Sequence, residues 1–217
     1  MDNQQKVGAI IVAAGSSRRM GGKDKMFVRL GGKPMLARVV DVFQRCNSID
    51  QIVVIVSKQN FKIGPNDGCR QLATEQGWSK VIEVCPGGRR RQDSVAAGLR
   101  QLSNCEWGVI HDGARPLVTV DLIDNGLAEA RETGAAVAAI PVTDTIKVAG
   151  DDWIVQETPP RNSLWAVQTP QVFRYDIITK AYRQITAEVT DDASLAERLG
   201  YKVKLYMGSY DNIKVTT

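Results

Sequence analysis

The chain has 217 residues, of which 43% are hydrophobic and 24% are charged, and its formal net charge is +4. This length suits one large α/β domain with a sizeable core. The mild charge favours phosphorylated small molecules over nucleic acid as partners, because the basic residues gather in short clusters beside glycines. No apolar run approaches the roughly 20 residues of a membrane span, and residues 1–6 are too short and polar for a signal peptide.

The first part of the chain alternates predicted strands with a predicted helix. The apolar run Val7–Ala14 and the β-branched run Ile52–Val56 are typical of buried parallel strands. Between them, apolar residues at helical spacing predict a helix that starts after Pro34 and reaches Cys46. Residues 58–78 are interrupted by glycine and predict a loop with at most one helix.

The same alternation continues towards the middle of the chain. The next predicted elements are a strand over Val81–Val84, a helix that contains Val95, Leu99 and Leu102, a strand over Trp107–Ile110, a helix from the N-cap Thr119 to Thr133, and a strand over Ala135–Ile140. This order predicts right-handed βαβ units in an α/β fold, with a Rossmann-like, mostly parallel sheet covered by helices on both faces. In such sheets ligands bind outside the carboxyl ends of the strands.

The pattern changes after Pro141. Two strand-like pieces, 144–148 and 153–157, flank a Gly-Asp-Asp turn and predict a β-hairpin. A hairpin with few core residues needs a packing partner, so residues 142–160 are predicted to protrude as an arm from the single domain 1–217, with a second subunit as one candidate partner. The last predicted elements are helices over Tyr175–Thr186 and Ala193–Leu199 and a strand over Val203–Met207.

A glycine-rich basic loop, AAGSSRRMGGKDK, spans residues 13–25 after the first predicted strand. A strand that ends in a glycine turn leaves backbone N–H groups at the sheet edge, and small side chains let a phosphate reach them. The loop contains neither a Walker A motif nor a dinucleotide fingerprint. Composition alone therefore leaves two readings open, a triphosphate cradle and a solvated basic loop.

Several motifs in order resemble one family. Strand, A-A-G, a small residue, R-M-G and a nearby lysine resemble the signature of the sugar-nucleotidyltransferase superfamily. The later motifs are similar to those of the 2-C-methyl-D-erythritol 4-phosphate cytidylyltransferase (IspD) family: GGRRRQDSV at 87–95, HDGARP at 111–116, PVTDTIK at 141–147, RNSLW at 161–165, TPQ at 169–171 and DNIKVT at 211–216. The match covers nearly the whole chain.

The resemblance implies an enzyme that joins CTP and 2-C-methyl-D-erythritol 4-phosphate to give CDP-methylerythritol and pyrophosphate, with Mg²⁺ as cofactor, in non-mevalonate isoprenoid biosynthesis. Arg19 and Lys25 are the predicted catalytic residues, which stabilise the charge on the α-phosphate and the leaving group. The predicted nucleotide-binding residues are Ala13, Ala14, Gly15, Ser16, Gly88, Ser94 and Asp112.

Two of these nucleotide-binding residues also have simpler interpretations. The resemblance places Gly88 and Ser94 against the cytosine ring, but Ser94 could instead be a helix N-cap, with Arg89–Arg91 on a solvated face. Asp112, after an apolar strand, could meet a ribose hydroxyl or help to position Mg²⁺; an acidic residue at a helix N-terminus or a turn former is the alternative. His111 is interpreted as structural.

The second substrate is assigned by the resemblance to Thr145, Arg161 and Lys214, with Thr169 close by. A surface ion pair for Arg161 and a solvated tail for Lys214 are the alternatives. The family resemblance also implies a homodimer in which the arm reaches the other subunit and the active site is shared.

Other functions and departures from the family pattern remain open at this point. A ribitol 5-phosphate or other polyol-phosphate cytidylyltransferase shares most of these motifs, and a non-catalytic nucleotide-binding module is a further alternative.

Arg89 stands where family members often carry an acidic residue, Asp24 stands where they have proline, and they continue beyond Thr217 with an acidic helical segment. Four cysteines without a C-x-x-C pair predict reduced thiols and a cytoplasmic protein. The charge pattern and the lack of a membrane-length apolar run predict no nucleic-acid and no membrane partner.

Overall fold

The computed structural model describes residues 5–15, 25–61 and 68–216. In chain order its strands are β1 Val7–Ala13, β2 Arg29–Leu30, β3 Lys33–Pro34, β4 Gln51–Val56, β5 Val81–Pro86, β6 Trp107–Asp112, β7 Ala135–Pro141, β8 Val148–Ala149, β9 Val155–Glu157, β10 Trp165–Arg174 and β11 Lys204–Met207. The α-helices are α1 Met35–Arg45, α2 Gly68–Gln76, α3 Arg91–Leu99, α4 Val120–Thr133, α5 Tyr175–Gln184 and α6 Ala193–Arg198. Short 3-10 helices cover Lys25–Phe27 and Arg161–Ser163.

Seven of these strands form the central sheet in the order β11-β7-β10-β6-β1-β4-β5. Every neighbouring pair is parallel except the two made by β10, which runs antiparallel to β6 and β7. The predicted α/β class with a mostly parallel sheet is therefore confirmed. Among the described residues, none of the helices is both long enough and apolar enough to span a membrane.

The two faces of the sheet bury separate apolar clusters, because side chains alternate along a strand. Ile11 of β1 belongs to the cluster that α1 and α4 cover, and its neighbour Ile10 belongs to the cluster under α3, α5 and α6. Helix α4 begins as predicted, since the Thr119 hydroxyl accepts a hydrogen bond from the Leu122 N–H at 3.2 Å. It ends at Gly134, whose φ of 81° is a left-handed conformation that glycine adopts readily.

One central strand was not predicted. β10 lies between β6 and β7, although residues 165–174 carry polar side chains and Pro170 in the middle of the strand. The pairing of β10 with β7 shifts register between Val167 and Gln171. Because proline has no N–H to donate, such a break in pairing accommodates it. The hairpin is present as predicted, with β8 antiparallel to β9, but both strands are shorter than expected.

The loops that matter for function leave the sheet at its carboxyl edge. The backbone N–H of Gly87 after β5 bonds to the Val56 carbonyl of β4 at 2.8 Å, and the N–H of Gly113 after β6 bonds to the Val12 carbonyl of β1 at 2.9 Å. These bonds extend the parallel pairing by one residue beyond the strand ends. They hold the loops after β1, β5 and β6 side by side.

Candidate active site

A cavity of about 390 Å³ lies at the carboxyl edge of β1, β5 and β6. Ala13, Ala14 and Gly15 line it at the end of β1, as predicted for a phosphate cradle. Ser16 and Arg19, which were predicted to complete the cradle, lie outside the described residues. The small side chains after β1 let a ligand approach the backbone closely.

Lys25 lines the same cavity from the short helix Lys25–Phe27. Its Nζ donates a hydrogen bond to the Val215 carbonyl at 2.8 Å, and the Val215 N–H bonds to the Ala114 carbonyl at 2.8 Å. The C-terminal segment therefore connects Lys25 with the loop that follows β6. This contact holds the ammonium group at the cavity wall.

The loop between β5 and α3 forms another wall and contains Gly88 and Ser94. The buried Ser94 hydroxyl accepts a hydrogen bond from the Gly88 N–H at 3.1 Å and donates one to the Arg90 carbonyl at 3.2 Å. The alternative of Ser94 as the N-cap is wrong. Arg90 is the N-cap of α3, and its N–H bonds to the Asp93 carboxylate at 3.0 Å.

Replacing Ser94 with alanine is expected to weaken CTP binding and to relax the preference for CTP over UTP. The change removes the buried hydroxyl that accepts from the Gly88 N–H and frees the loop that is predicted to face the base, a loss of about 0.5–1.5 kcal/mol. Parallel titrations of both nucleotides into the parent and the variant measure it. An unchanged CTP-to-UTP ratio would restrict Ser94 to holding α3.

Gly87 brings the same loop close to the end of β1. A Cβ at this position would lie 2.2 Å from the Cβ of Ala14 and 2.8 Å from the Oγ of Ser94. Gly87→Ala is therefore expected to destabilise the fold by about 1–3 kcal/mol, because the packing around it has no room for a methyl group. Urea unfolding measures the loss. Gly68→Ala is the matched control, since a Cβ there meets nothing within 4 Å; equal stability of the two variants would contradict the expectation.

Asp112, the last residue of β6, is buried between two cations. Its Oδ1 accepts from Arg91 Nε at 3.1 Å, and its Oδ2 lies 2.6 Å from Lys214 Nζ. Burial alone would raise the pKa of this carboxyl, but Arg91 and Lys214 outweigh it and hold the pKa well below its usual range. The carboxylate is therefore charged at neutral pH.

The alternative that placed Arg91 on a solvated face is wrong. Its Nη2 also pairs with Asp192 Oδ2 at 2.7 Å, so one guanidinium joins two carboxylates. Arg90, by contrast, makes an exposed pair with Asp93 in its own helix turn. The basic run therefore contains one arginine, Arg91, that bridges two buried carboxylates, and nothing in its local sequence distinguishes it from its neighbours.

His111 and Thr169 form a buried chain beside Asp112. The Thr169 hydroxyl accepts from the Asp112 N–H at 3.0 Å and lies 3.1 Å from His111 Nδ1, while His111 Nε2 lies 3.3 Å from the Arg115 carbonyl. Burial lowers the pKa of His111 to about 4, despite the neighbouring Asp112. Because a carbonyl only accepts, the neutral ring carries its proton on Nε2 and accepts at Nδ1. The structural interpretation of His111 fits this arrangement.

A second cavity of about 390 Å³ adjoins the first. Both cavities are lined by Arg91, Asp112 and Lys214, and the second also contains Arg115 and Thr169. The arrangement offers room for two ligands side by side, which meet at Asp112. A group-transfer reaction requires such adjacent sites.

The C-terminal segment supplies Lys214 and is anchored by a residue that sequence reasoning did not single out. Asn212 is fully buried, and its Nδ2 donates to Gln168 Oε1 at 3.0 Å and to the Thr169 carbonyl at 2.9 Å. Its backbone carbonyl accepts from Arg115 Nη1 at 2.6 Å. Asn212 therefore fixes the backbone of the C-terminal segment, and this backbone places Lys214 at the cavity.

Two predicted substrate residues lie elsewhere. Thr145 is exposed between β7 and β8, and Arg161 lies beyond β9, where its Nη1 donates to the Thr143 carbonyl at 2.8 Å. Neither lines the cavities that contain Asp112. Within one chain, the structure brings together the predicted nucleotide-binding residues other than the undescribed Ser16 with Thr169 and Lys214. It leaves Thr145 and Arg161 at the base of the arm.

The donor set bears on the predicted magnesium ion. Among residues 5–15, 25–61 and 68–216, no group of three or more histidine, cysteine, aspartate or glutamate side chains could hold a metal. Among the described side chains that line the first cavity, Asp112 is the single carboxylate, beside lysines and arginines. These residues fit a magnesium ion that arrives with a triphosphate, because Mg²⁺ is commonly bound by one carboxylate and substrate phosphates.

This fold and site define an α/β protein of the nucleotidyltransferase class, with a cationic cavity at the carboxyl edge of its sheet and a second cavity beside it. The model of the family described as 2-C-methyl-D-erythritol 4-phosphate cytidylyltransferase (IspD) matches residues 7–217. The chain belongs to this family, and the resemblance found in its motifs is confirmed.

Individual relatives agree with the family match. A protein of Dehalococcoides mccartyi named 2-C-methyl-D-erythritol 4-phosphate cytidylyltransferase is 52% identical over 213 residues, which cover 98% of this chain and 92% of the relative. A relative of the same name from Alkaliphilus oremlandii is 41% identical over 222 residues, covering 100% of this chain and 92% of the relative. A crystal structure titled 4-diphosphocytidyl-2C-methyl-D-erythritol synthase from Anaerococcus prevotii superimposes with a TM-score of 0.87 at 30% identity, covering 99% of this chain and 92% of that one.

Proposed function

We propose that this protein is a cytidylyltransferase that joins CTP and 2-C-methyl-D-erythritol 4-phosphate to give CDP-methylerythritol and pyrophosphate in isoprenoid biosynthesis. The observation that carries the proposal is the pair of adjoining cavities that meet at Arg91, Asp112 and Lys214, in a chain of this family. The family match does not favour the ribitol 5-phosphate alternative.

The reaction is an in-line displacement at the α-phosphorus of CTP. A phosphate oxygen of the second substrate forms a bond to this phosphorus, and the bond to the β-phosphate oxygen breaks, so that pyrophosphate leaves with the electron pair. The attacking phosphate monoester is largely dianionic at neutral pH, since its second pKa is about 6. The site therefore needs no general base, which agrees with a neutral, hydrogen-bonded His111.

The residues of the chain contribute position and charge. Lys25 and Arg19 stabilise negative charge that grows on the α-phosphate and the leaving group. The Asp112 carboxylate accepts from a ribose hydroxyl, and Lys214 and Thr169 hold the second substrate beside it. Asp112 would help to hold a magnesium ion that enters with the triphosphate, and such an ion would supply positive charge to the leaving pyrophosphate.

We also propose a homodimer whose arms complete the sites of the partner. The support is the exposed apolar surface of the hairpin, where Trp153 is 90% exposed and Ile154 and Val155 are more than half exposed. Large apolar side chains on a two-stranded hairpin need a covering partner. Arg161 and Thr145 lie at the base of this arm and away from the cavity of their own chain.

A cytoplasmic location is part of the proposal. It is supported by the four cysteines, all within the described ranges, which form no disulfide, as is usual in a reducing compartment.

A pyrophosphate-release assay tests the activity directly. Each of CTP, UTP and ATP is combined with methylerythritol phosphate, ribitol 5-phosphate or no acceptor, in the presence of Mg²⁺. We expect release with CTP and methylerythritol phosphate well above every other pair. Release with ribitol 5-phosphate alone would move the protein to the alternative activity, and no release with any acceptor would leave a nucleotide-binding module.

A further inference from the structure

The Arg91 guanidinium also contacts a buried aspartate, Asp192, which lines neither of the two cavities. Asp192 precedes α6 and is fully buried. Its Oδ2 lies 2.7 Å from Arg91 Nη2, and its Oδ1 accepts from the Tyr182 hydroxyl of α5. A buried carboxylate is costly unless its charge is paired, and the Arg91 guanidinium supplies the pairing charge here.

Asp192 is itself fixed by the sheet. Its backbone N–H donates to Gln171 Oε1 at 3.2 Å, and the next N–H, that of Ala193, donates to the same oxygen at 3.1 Å. Gln171 belongs to β10, two residues after Thr169. The carboxylate therefore has a fixed backbone on one side and the Tyr182 hydroxyl on the other.

We infer that Asp192 and Tyr182 are positioning residues for the nucleotide site, which act on Asp112 through Arg91. A guanidinium is planar and rigid, so anchoring Nη2 at Asp192 sets the direction in which Nε meets Asp112. Asp112 in turn contacts Lys214 through its other oxygen. The Tyr182 hydroxyl thus acts through Asp192 and Arg91 on the orientation of Asp112, which lies on the wall shared by both cavities.

The inference rests on the proposed function only in naming CTP as the ligand. The network joins Tyr182, Asp192, Arg91, Asp112 and Lys214 by a hydrogen bond and ion pairs. Its charges balance, with two carboxylates and two cations. Loss of the Tyr182 hydroxyl leaves Asp192 Oδ1 without this donor, and the guanidinium can then turn towards either carboxylate.

Tyr182→Phe is the test variant, and Tyr175→Phe is its matched control. Both tyrosines lie on α5, and the Tyr175 hydroxyl donates to the Leu99 and Leu102 carbonyls at 2.6 and 3.2 Å, with no link to Arg91. CTP affinity is measured by calorimetry without the second substrate. We expect a loss of about tenfold for Tyr182→Phe, typical of a hydrogen bond to a charged group, and less than about twofold for Tyr175→Phe. Asp192→Asn should lower affinity further in the same direction.

A double-mutant cycle separates positioning from general loss of structure. In an Asp112→Asn background, Tyr182→Phe should have no further effect on CTP affinity, because the group on which it acts is gone. A full additional loss in that background, or equal losses for the two tyrosine variants, would overturn the inference. A parent protein that binds CTP but transfers nothing to methylerythritol phosphate contradicts the proposed function alone, while one that fails to bind CTP overturns both.

Discussion

Lys25→Ala is expected to lower the turnover of cytidylyl transfer at least about 100-fold, the cost of removing one preorganised charge donor from a site of this kind. Lys25 lines the nucleotide cavity, and its contact with the Val215 carbonyl holds the ammonium group there. Steady-state pyrophosphate release under saturating substrates measures turnover. Since Lys25 itself is only partly buried, the melting temperature should change little.

Lys33→Ala is the control for this variant. Lys33 is a nearby lysine that pairs with Asp41 and does not line the cavity. Its loss should leave turnover within about twofold of the parent, as for most surface ion pairs. Near-parental turnover of Lys25→Ala would remove Lys25 from the catalytic role. The same reduction is expected for Arg19→Ala. Arg19 is a catalytic residue predicted from the sequence, and it lies outside the described residues.

Mixing two inactive variants is expected to restore activity if the site is shared between subunits. Lys25→Ala damages the cavity of its own chain, whereas Arg161 lies away from that cavity and is proposed to serve the partner. In a mixed dimer of Lys25→Ala and Arg161→Ala, one site then carries both defects and the other carries none. With random pairing, about a quarter of parental activity should return. The measurement is pyrophosphate release before and after subunit exchange.

The control for this experiment pairs two defects that the structure places in one cavity. Lys25 and Lys214 both line the nucleotide cavity of the same chain. Mixing Lys25→Ala with Lys214→Ala leaves every site with one defect, so no activity should return. If the Arg161→Ala mixture also stays inactive while exchange is verified by mass spectrometry, the shared site is wrong.

The sequence predicted the architecture where local pattern and tertiary role agree. β1 and β4 are continuous apolar runs buried on both faces, and α4 carries its own N-cap and C-terminal glycine. β10 was missed because its polar residues and Pro170 are tolerated by a break in strand pairing that only the folded sheet provides. Strands whose polar residues contact a neighbouring element, rather than water, lack the usual alternation.

The site shows the same division. Asp112 and Gly88 belong to motifs that follow predicted strands, so strand order alone placed them at one edge. The role of Arg91 depends on Asp192, which is distant in sequence, and three adjacent arginines look alike without that partner. Asn212 was also missed, because its contacts with Gln168 and Thr169 form only when the C-terminal segment folds back over β10.

Transfer of CMP from CTP to methylerythritol phosphate can be followed by ³¹P NMR of the products. We expect the α-phosphorus signal of CTP and the monoester signal of the acceptor to disappear together. They should be replaced by a coupled pair of diphosphate signals and by one equivalent of pyrophosphate, and the product should have the mass of CDP-methylerythritol. Inorganic phosphate with CDP, or pyrophosphate with CMP and unchanged acceptor, would show hydrolysis of CTP in place of cytidylyl transfer.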